Sequence, residues 1–323
     1  MERKKWLDAL RALAIYLVVA GHMHAGAFEL LTAQVKIPLF FAISGYLMRE
    51  NDDRPFGRFA WDKFRRLMIP YYALGILILP LLVVSYHWMD GTAPTAILRR
   101  ELRRLLCGDL LWFLSYLFAT ELLTYWLARI PKLWMRAAAT IALVACGYML
   151  LRPGNTRIVR PEIVMILCAF MMLGRGIRRY MPAGGWGAAI GLGALEAALL
   201  VLEMRLGVAR IDVNLDLWGC LPLNLLASAV GILFLFQLFP HLPVPRAIAW
   251  TGRNSLGIYV FHIFSNLLLV RLCGRLGLPS PGENLLLALI VAAVSCAMCA
   301  LPAALINRFC PWMAGRFSKS SLA

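Results

Sequence analysis

Charge is scarce in this sequence, and negative charge most of all. Only 15% of the 323 residues are Asp, Glu, Lys or Arg, with 17 acidic residues against 33 basic ones. Soluble domains carry roughly 25% charged residues. A chain that is 61% hydrophobic with mean hydropathy +0.72 does not read as an ordinary soluble domain. Phosphate-binding signatures are also missing: there is no Gly-rich loop, Walker sequence or dinucleotide fingerprint. No His-x-Glu-x-x-His or Cys/His spacing suggests a metal, and no metal is expected. The net charge of +16 is spread between apolar runs and forms no continuous patch, which argues against nucleic acid. No small-residue cleavage site follows the basic Met1–Lys5, so no cleavable signal peptide is expected. No repeat relates the two halves, which weighs against an inverted-repeat transporter. The eight cysteines lie mostly inside apolar runs. Cys296-x-x-Cys299 is read as a pair of small packing residues, and Cys107–Cys273 is the one pairing open to a disulfide.

What is present is length in apolar runs. Ten stand out: 7–25, 36–48, 67–86, 110–128, 134–151, 162–176, 184–204, 217–239, 252–272 and 284–307. Several approach the ~20 residues that an α-helix needs to cross a bilayer. The second and sixth are short, and the second contains Pro38 and Ser44-Gly45, as broken spans lining a cavity do. The expected fold is all-α and polytopic: one integral-membrane domain over 1–323, a bundle of about ten transmembrane helices. With the N-terminus inside, the inner segments hold 20 Lys and Arg and the outer ones 12, so both termini are expected to be cytoplasmic.

Residues 7–25, LDALRALAIYLVVAGHMHA, carry Asp8 and Arg11 near one end and His22 and His24 near the other. Ionisable groups in a membrane helix usually face a protein interior or wet cavity and mark a site. Eleven residues at about 100° each make about three turns plus 20°, so Arg11 and His22 share a face roughly 16 Å apart along the axis. His24 points away and has a minor role. The rival reading is an Asp8–Arg11 anchor at the surface with an interfacial histidine. Two basic stretches also carry alternatives. LRRELRRLL (98–106) is either an amphipathic helix on the outer surface or the lining of an anionic substrate's path. In 49–68, Phe56, Phe59, Trp61 and Phe64 alternate with Arg54, Arg58, Lys63, Arg65 and Arg66. That stretch is either an interfacial helix or a cradle for a phosphorylated cofactor. Glu121 and Glu196, in the middle of two runs, are either satisfied interhelical partners or tunnel wall.

Five stretches in order resemble one family. They are Leu7-Asp8-Ala9-Leu10-Arg11-Ala12-Leu13-Ala14 through Gly21-His22, with an Arg-x10-His pair; Pro38-Leu39-Phe40-Phe41-Ala42-Ile43-Ser44-Gly45-Tyr46; Lys63-Phe64-Arg65-Arg66-Leu67-Met68-Ile69-Pro70-Tyr71-Tyr72; Leu111-Trp112-Phe113-Leu114; and Gly252-Arg253-Asn254-Ser255-Leu256-Gly257-Ile258-Tyr259-Val260-Phe261-His262. Together they resemble the membrane-bound acyltransferase-3 family, and within it the sugar O-acetylase group with no attached soluble domain.

The resemblance implies a bacterial multi-pass enzyme of the cytoplasmic (inner) membrane. It would move an acyl group, most simply acetyl from acetyl-CoA, to a hydroxyl of a surface polysaccharide or lipid-linked sugar. His22 is the candidate general base, Arg11 and Asp8 complete the catalytic set, and Arg11, Lys63, Arg65 and Arg66 are candidates for the donor's phosphates. Ser44, Tyr46, Trp112, Asn254, Tyr259 and His262 are candidate oxyanion or acceptor contacts. Ser44 or a cysteine as acyl-enzyme nucleophile remains the competing route, Ser44 otherwise serving helix packing beside Gly45. His262 is either a second member of the site or a histidine hydrogen-bonded between helices. A transporter or flippase for an acylated or lipid-linked saccharide, and an inactive scaffold of the same fold, are the rival classes.

Overall fold

The structure is a computed structural model that describes residues 4–23, 26–50, 52–152, 160–182, 184–208, 211–213 and 218–317. Helix is the only extended regular structure among them. The order is α1 (Lys5–Gly21), α2 (Gly26–Lys36), α3 (Pro38–Leu47), α4 (Phe56–Lys63), a π-helical turn Phe64–Met68, α5 (Ile69–Asp90), α6 (Pro94–Leu106), α7 (Trp112–Leu127) and α8 (Leu133–Leu150). It continues with α9 (Pro161–Tyr180), α10 (Trp186–Arg205), α11 (Leu221–Leu238), α12 (Arg246–Arg253), α13 (Ser255–Arg275), α14 (Leu285–Met298) and α15 (Ala300–Phe309). Each of the ten apolar runs carries a helix. Among the described residues, six stretches are long and apolar enough to cross a membrane: Phe56–Asp90, Leu133–Leu150, Trp186–Arg205, Leu221–His241, Ser255–Arg275 and Leu285–Phe309.

Several boundaries differ from the sequence reading. Helix α1 stops at Gly21 and not at Ala25. His22 N–H still bonds back to Val18, but Met23 N–H takes the Ala20 carbonyl three residues back, and the turn closes there. His24 lies outside the described residues. The run at 252–272 breaks at Asn254, whose side-chain Nδ2 donates to the Trp250 carbonyl and leaves α12 as a separate short helix. Helix α2 occupies what reads in the sequence as a loop. The 98–106 stretch is helical within α6, which docks on α5 through the Tyr71 hydroxyl donating to the Leu105 carbonyl at 2.8 Å. Glu101, fully buried, pairs there with Arg100 and Arg104. All eight cysteines are free, so the Cys107–Cys273 pairing is not made: Cys107 is exposed and Cys273 buried.

Helix α1 is the centre of the bundle. It packs against α2, α3, α12, α13 and α14 and is buried along most of its length. Small residues bring the neighbours in. A Cβ on Gly45 would lie 1.9 Å from the Met171 carbonyl oxygen, and one on Gly174 would lie 1.9 Å from that of Ala42. Helices α3 and α9 thus cross backbone to backbone, which is how apolar helices associate where no hydrophobic drive separates them from lipid.

Candidate active site

The faces of α1 and α13 make the site. Gly252, just before α13, meets the Asp8 backbone, and His262 meets His22, so the two segments run in the same direction. On α1, Arg11, Ile15 and Val18 recur at helical spacing and line a cavity of about 170 Å³. On α13, Ser255, Leu256 and Tyr259 line the same cavity. Ile37, Phe40, Ile43 and Ser44 of the α2–α3 segment close one side, and Phe113, Leu114 and Leu117 of α7 close the other. The next residue along the α1 face is His22. The next along the α13 face is His262.

The two imidazoles sit beyond the cavity with ring centroids 5.0 Å apart and planes tilted by 39°. His22 is exposed; His262 is buried. The Nδ1 of His262 lies 2.7 Å from the Tyr259 carbonyl oxygen. That oxygen only accepts, so Nδ1 carries the proton, and in the neutral ring Nε2 is left as an acceptor. Tyr259 is held in turn by the Phe113 backbone N–H, which donates to its oxygen at 3.4 Å. The phenolic hydrogen stays available as a donor on the cavity wall.

At the other end of the cavity Arg11 pairs with Asp8 at 3.5 Å, one turn away on the same helix. Asp8 is buried and Arg11 is part-exposed. Ser44 Oγ donates to Glu121 Oε1 at 2.7 Å, and Lys63 reaches Oε2 of the same carboxylate at 3.0 Å. Glu121 is therefore an interhelical partner that also fixes a cavity-lining side chain. Glu196, the other carboxylate with two readings in the sequence, lies beside Gly231 of α11.

The remaining candidates are placed elsewhere. Tyr46 accepts from Lys4 Nζ at 2.9 Å and packs edge-on with Trp6. Trp112 packs against Phe113 and Tyr116 and does not line the cavity, where its neighbour Phe113 does. Asn254 joins α13 to α15, its Oδ1 accepting from Asn307 Nδ2 at 2.6 Å. Lys63 is turned inward onto Glu121, Arg65 lies over the Phe317 ring at 4.6 Å, and Arg66 is exposed. Sequence reading missed a second basic pocket. Arg136, Arg175, Arg178 and Arg179 line it with Glu50, and Arg175 and Arg178 hold the backbone carbonyls that follow α3. Their only sequence signal is a charge cluster after an apolar run, which also serves as topology information.

With this geometry in view, the comparison with protein families is decisive. The model of the acyltransferase-3 family, described as an acyltransferase domain, matches residues 4–305. The chain belongs to the acyltransferase-3 family. Among curated proteins, none matches it. The match begins before α1 and runs into α15, so it takes in every cavity-lining side chain and both histidines of this acyltransferase-3 chain. It is a membrane protein of an acyltransferase family, with Arg11 and His22 on one face of its central helix.

Proposed function

We propose that the protein is an O-acyltransferase, most simply an O-acetyltransferase, that moves an acyl group from cytosolic acyl-CoA to a hydroxyl of a cell-surface or lipid-linked sugar. The observation that carries this reading is the continuity of one face: Arg11, Ile15 and Val18 line a cavity, and the same face continues beyond it to His22, which meets His262. A site with a cation at one end and imidazoles at the other suits a polyanionic donor with a long arm. With the ten apolar runs taken as spans, the basic bias of alternate segments favours both termini in the cytosol. Arg11 then faces the donor side and His22 the acceptor side.

In this reading the thioester arm lies in the cavity. Arg11 holds the donor, and the arginines at 136, 175, 178 and 179 offer a second place for its phosphates. His22, as neutral imidazole, takes the proton of the acceptor hydroxyl as its oxygen attacks the thioester carbonyl carbon. The Tyr259 hydroxyl is the donor best placed to stabilise the oxyanion. The tetrahedral intermediate then expels the CoA thiolate, which takes the proton back from His22. Ester and free thiol are formed and no net proton is released. The hydrogen bond of Ser44 to Glu121 directs its hydroxyl proton to that carboxylate and not to His22, which disfavours a nucleophile activated by His22.

The test uses the purified chain in lipid nanodiscs with acetyl-CoA and bacterial surface glycans. It reads CoA release and the mass of the glycan. Acetylation that falls about 100-fold or more in His22→Ala is expected, in line with the usual contribution of a general base. Saccharide movement across the bilayer with no CoA release would overturn the reading in favour of a transporter.

A further inference from the structure

The α13 face does not end at His262. Asn266 follows one turn later, and its Nδ2 donates to the Val19 carbonyl at 3.3 Å. Val19 lies in the last turn of α1, where helix carbonyls lack intrahelical partners. The contact ties that turn, three residues before His22, to α13. It also fixes the amide, because Nδ2 must face the carbonyl and Oδ1 the other way. Asn266 is 6% exposed and its Oδ1 has no partner; His262 is 1% exposed and its Nε2 has none either.

Two buried acceptors without donors stand on one face of one helix, four residues or about 6 Å apart in rise, beside the exposed His22. Buried polar atoms left unpaired are uncommon and call for an explanation. Both atoms accept, so a ligand that satisfies them must present two donors. A molecule with several hydroxyls does this and a simple alcohol does not. We propose that His262 Nε2 and Asn266 Oδ1 are the acceptor-recognition subsite, accepting hydrogen bonds from two hydroxyls of a polyhydroxylated acceptor while His22 addresses a third. This rests on the acyl-transfer reading for the reactive hydroxyl, and adds that the acceptor is selected as a polyol by α13.

The experiment uses the full chain in nanodiscs with acetyl-CoA. The acceptors are the methyl glycosides of glucose, galactose, mannose and rhamnose, and n-butanol as the single-hydroxyl probe. The expected result for Asn266→Leu is a fall of tenfold or more in the ratio of kcat/KM for the best glycoside to that for butanol, carried by KM. Loss of the α1 tie alone would lower both acceptors in proportion and leave the ratio unchanged, which would overturn the proposal, as would no change on either. Where Asn266→Leu does not fold, Asn266→Ser carries the same comparison. Saturation-transfer NMR with the same glycosides reads binding without chemistry. Binding that is present in the native chain and lost in the variant supports the subsite even if no acetyl is transferred, so the two readings fail separately. No binding of any of the four glycosides to the native chain overturns it.

Discussion

His22 and His262 face each other at 5.0 Å between ring centroids, one exposed and one buried, although 240 positions separate them in the chain. The buried ring is oriented by the carbonyl of its own helix, three residues back. The exposed ring ends the helix that carries Arg11. This pairing converts two separate sequence motifs into one site and fixes which end of the cavity is which.

Arg11 and Asp8 should separate stability from ligand binding. Arg11→Ala removes the cation beside a buried carboxylate and should lower both the melting temperature and acyl-CoA affinity. Adding Asp8→Asn should restore much of the melting temperature and none of the affinity. Thermal denaturation and acetyl-CoA titration in nanodiscs check this; recovery of affinity in the double variant would detach Arg11 from the donor.

The Lys63–Glu121 pair is buried on its acidic side and reaches Ser44. Lys63→Met should destabilise the fold by roughly 3 kcal/mol, the lower end of the range for leaving a buried charge unpaired. Lys63→Met with Glu121→Gln should be markedly more stable than Lys63→Met alone, since an amide keeps the Ser44 contact without a charge. A double-mutant cycle of denaturant midpoints in micelles measures the coupling. Additive effects would show that the pair does not act as a unit.

Two glycines should behave oppositely. A Cβ at Gly252 would lie 1.7 Å from the Asp8 carbonyl oxygen, so Gly252→Ala should force α12 away from α1, lower the melting temperature and disturb the Arg11 end of the cavity. Gly57, on α4, has open space around it. Gly57→Ala should be stabilising by about 0.5–1 kcal/mol through helix propensity. Thermal unfolding of the two variants checks both signs at once.

The segment before α4 should be acid-sensitive. Arg54 grips Asp52 through two hydrogen bonds, Nε–Oδ1 at 2.7 Å and Nη2–Oδ2 at 2.6 Å, and also contacts Asp62. The hydrogen bond from Arg54 holds the Asp52 carboxyl below its ordinary range. A depressed carboxyl contributes stability that is fully present above the unfolded value of about 3.9 and is lost as pH falls through the lower folded value. Amide exchange over residues 52–62 should therefore be protected and flat from pH 7 to 5 after correction for intrinsic rates, and protection should fall below pH 4. Loss of protection above pH 5 would rule out this linkage.

The sequence made the bundle legible because crossing a bilayer demands long apolar runs, and ten such runs all carry helices. It made Arg11–His22 legible because helical period is a property of spacing alone, and Asp8–Arg11 because partners at i, i+3 are neighbours on any helix. It could not rank Tyr46, Trp112 and Asn254 against Ser44 and Tyr259. All five belong to recognisable motifs, yet only the packing of α3, α7 and α13 decides which side chains reach the cavity. Asn266 gave no signal at all: a single amide in an apolar run has no spacing to read, and its partner Val19 is 247 positions away. Lys63 looked like a phosphate ligand from its basic neighbours, and the π-helical turn that follows it leaves it turned toward Glu121 of α7.

By itself, then, the sequence determined an all-helical membrane chain of an acyltransferase family, with a cation and a histidine on one face of the first helix. The helices and the shared face are consequences of composition and periodicity, which act within a single segment; the family is carried by five motifs in order along the chain. The tertiary structure decided the shared direction of α1 and α13, the meeting of His22 with His262, and the two unpaired acceptors on α13 that point to a polyhydroxylated acceptor. Those depend on close approach at glycine and on hydrogen bonds between segments far apart in the chain, which no local pattern encodes.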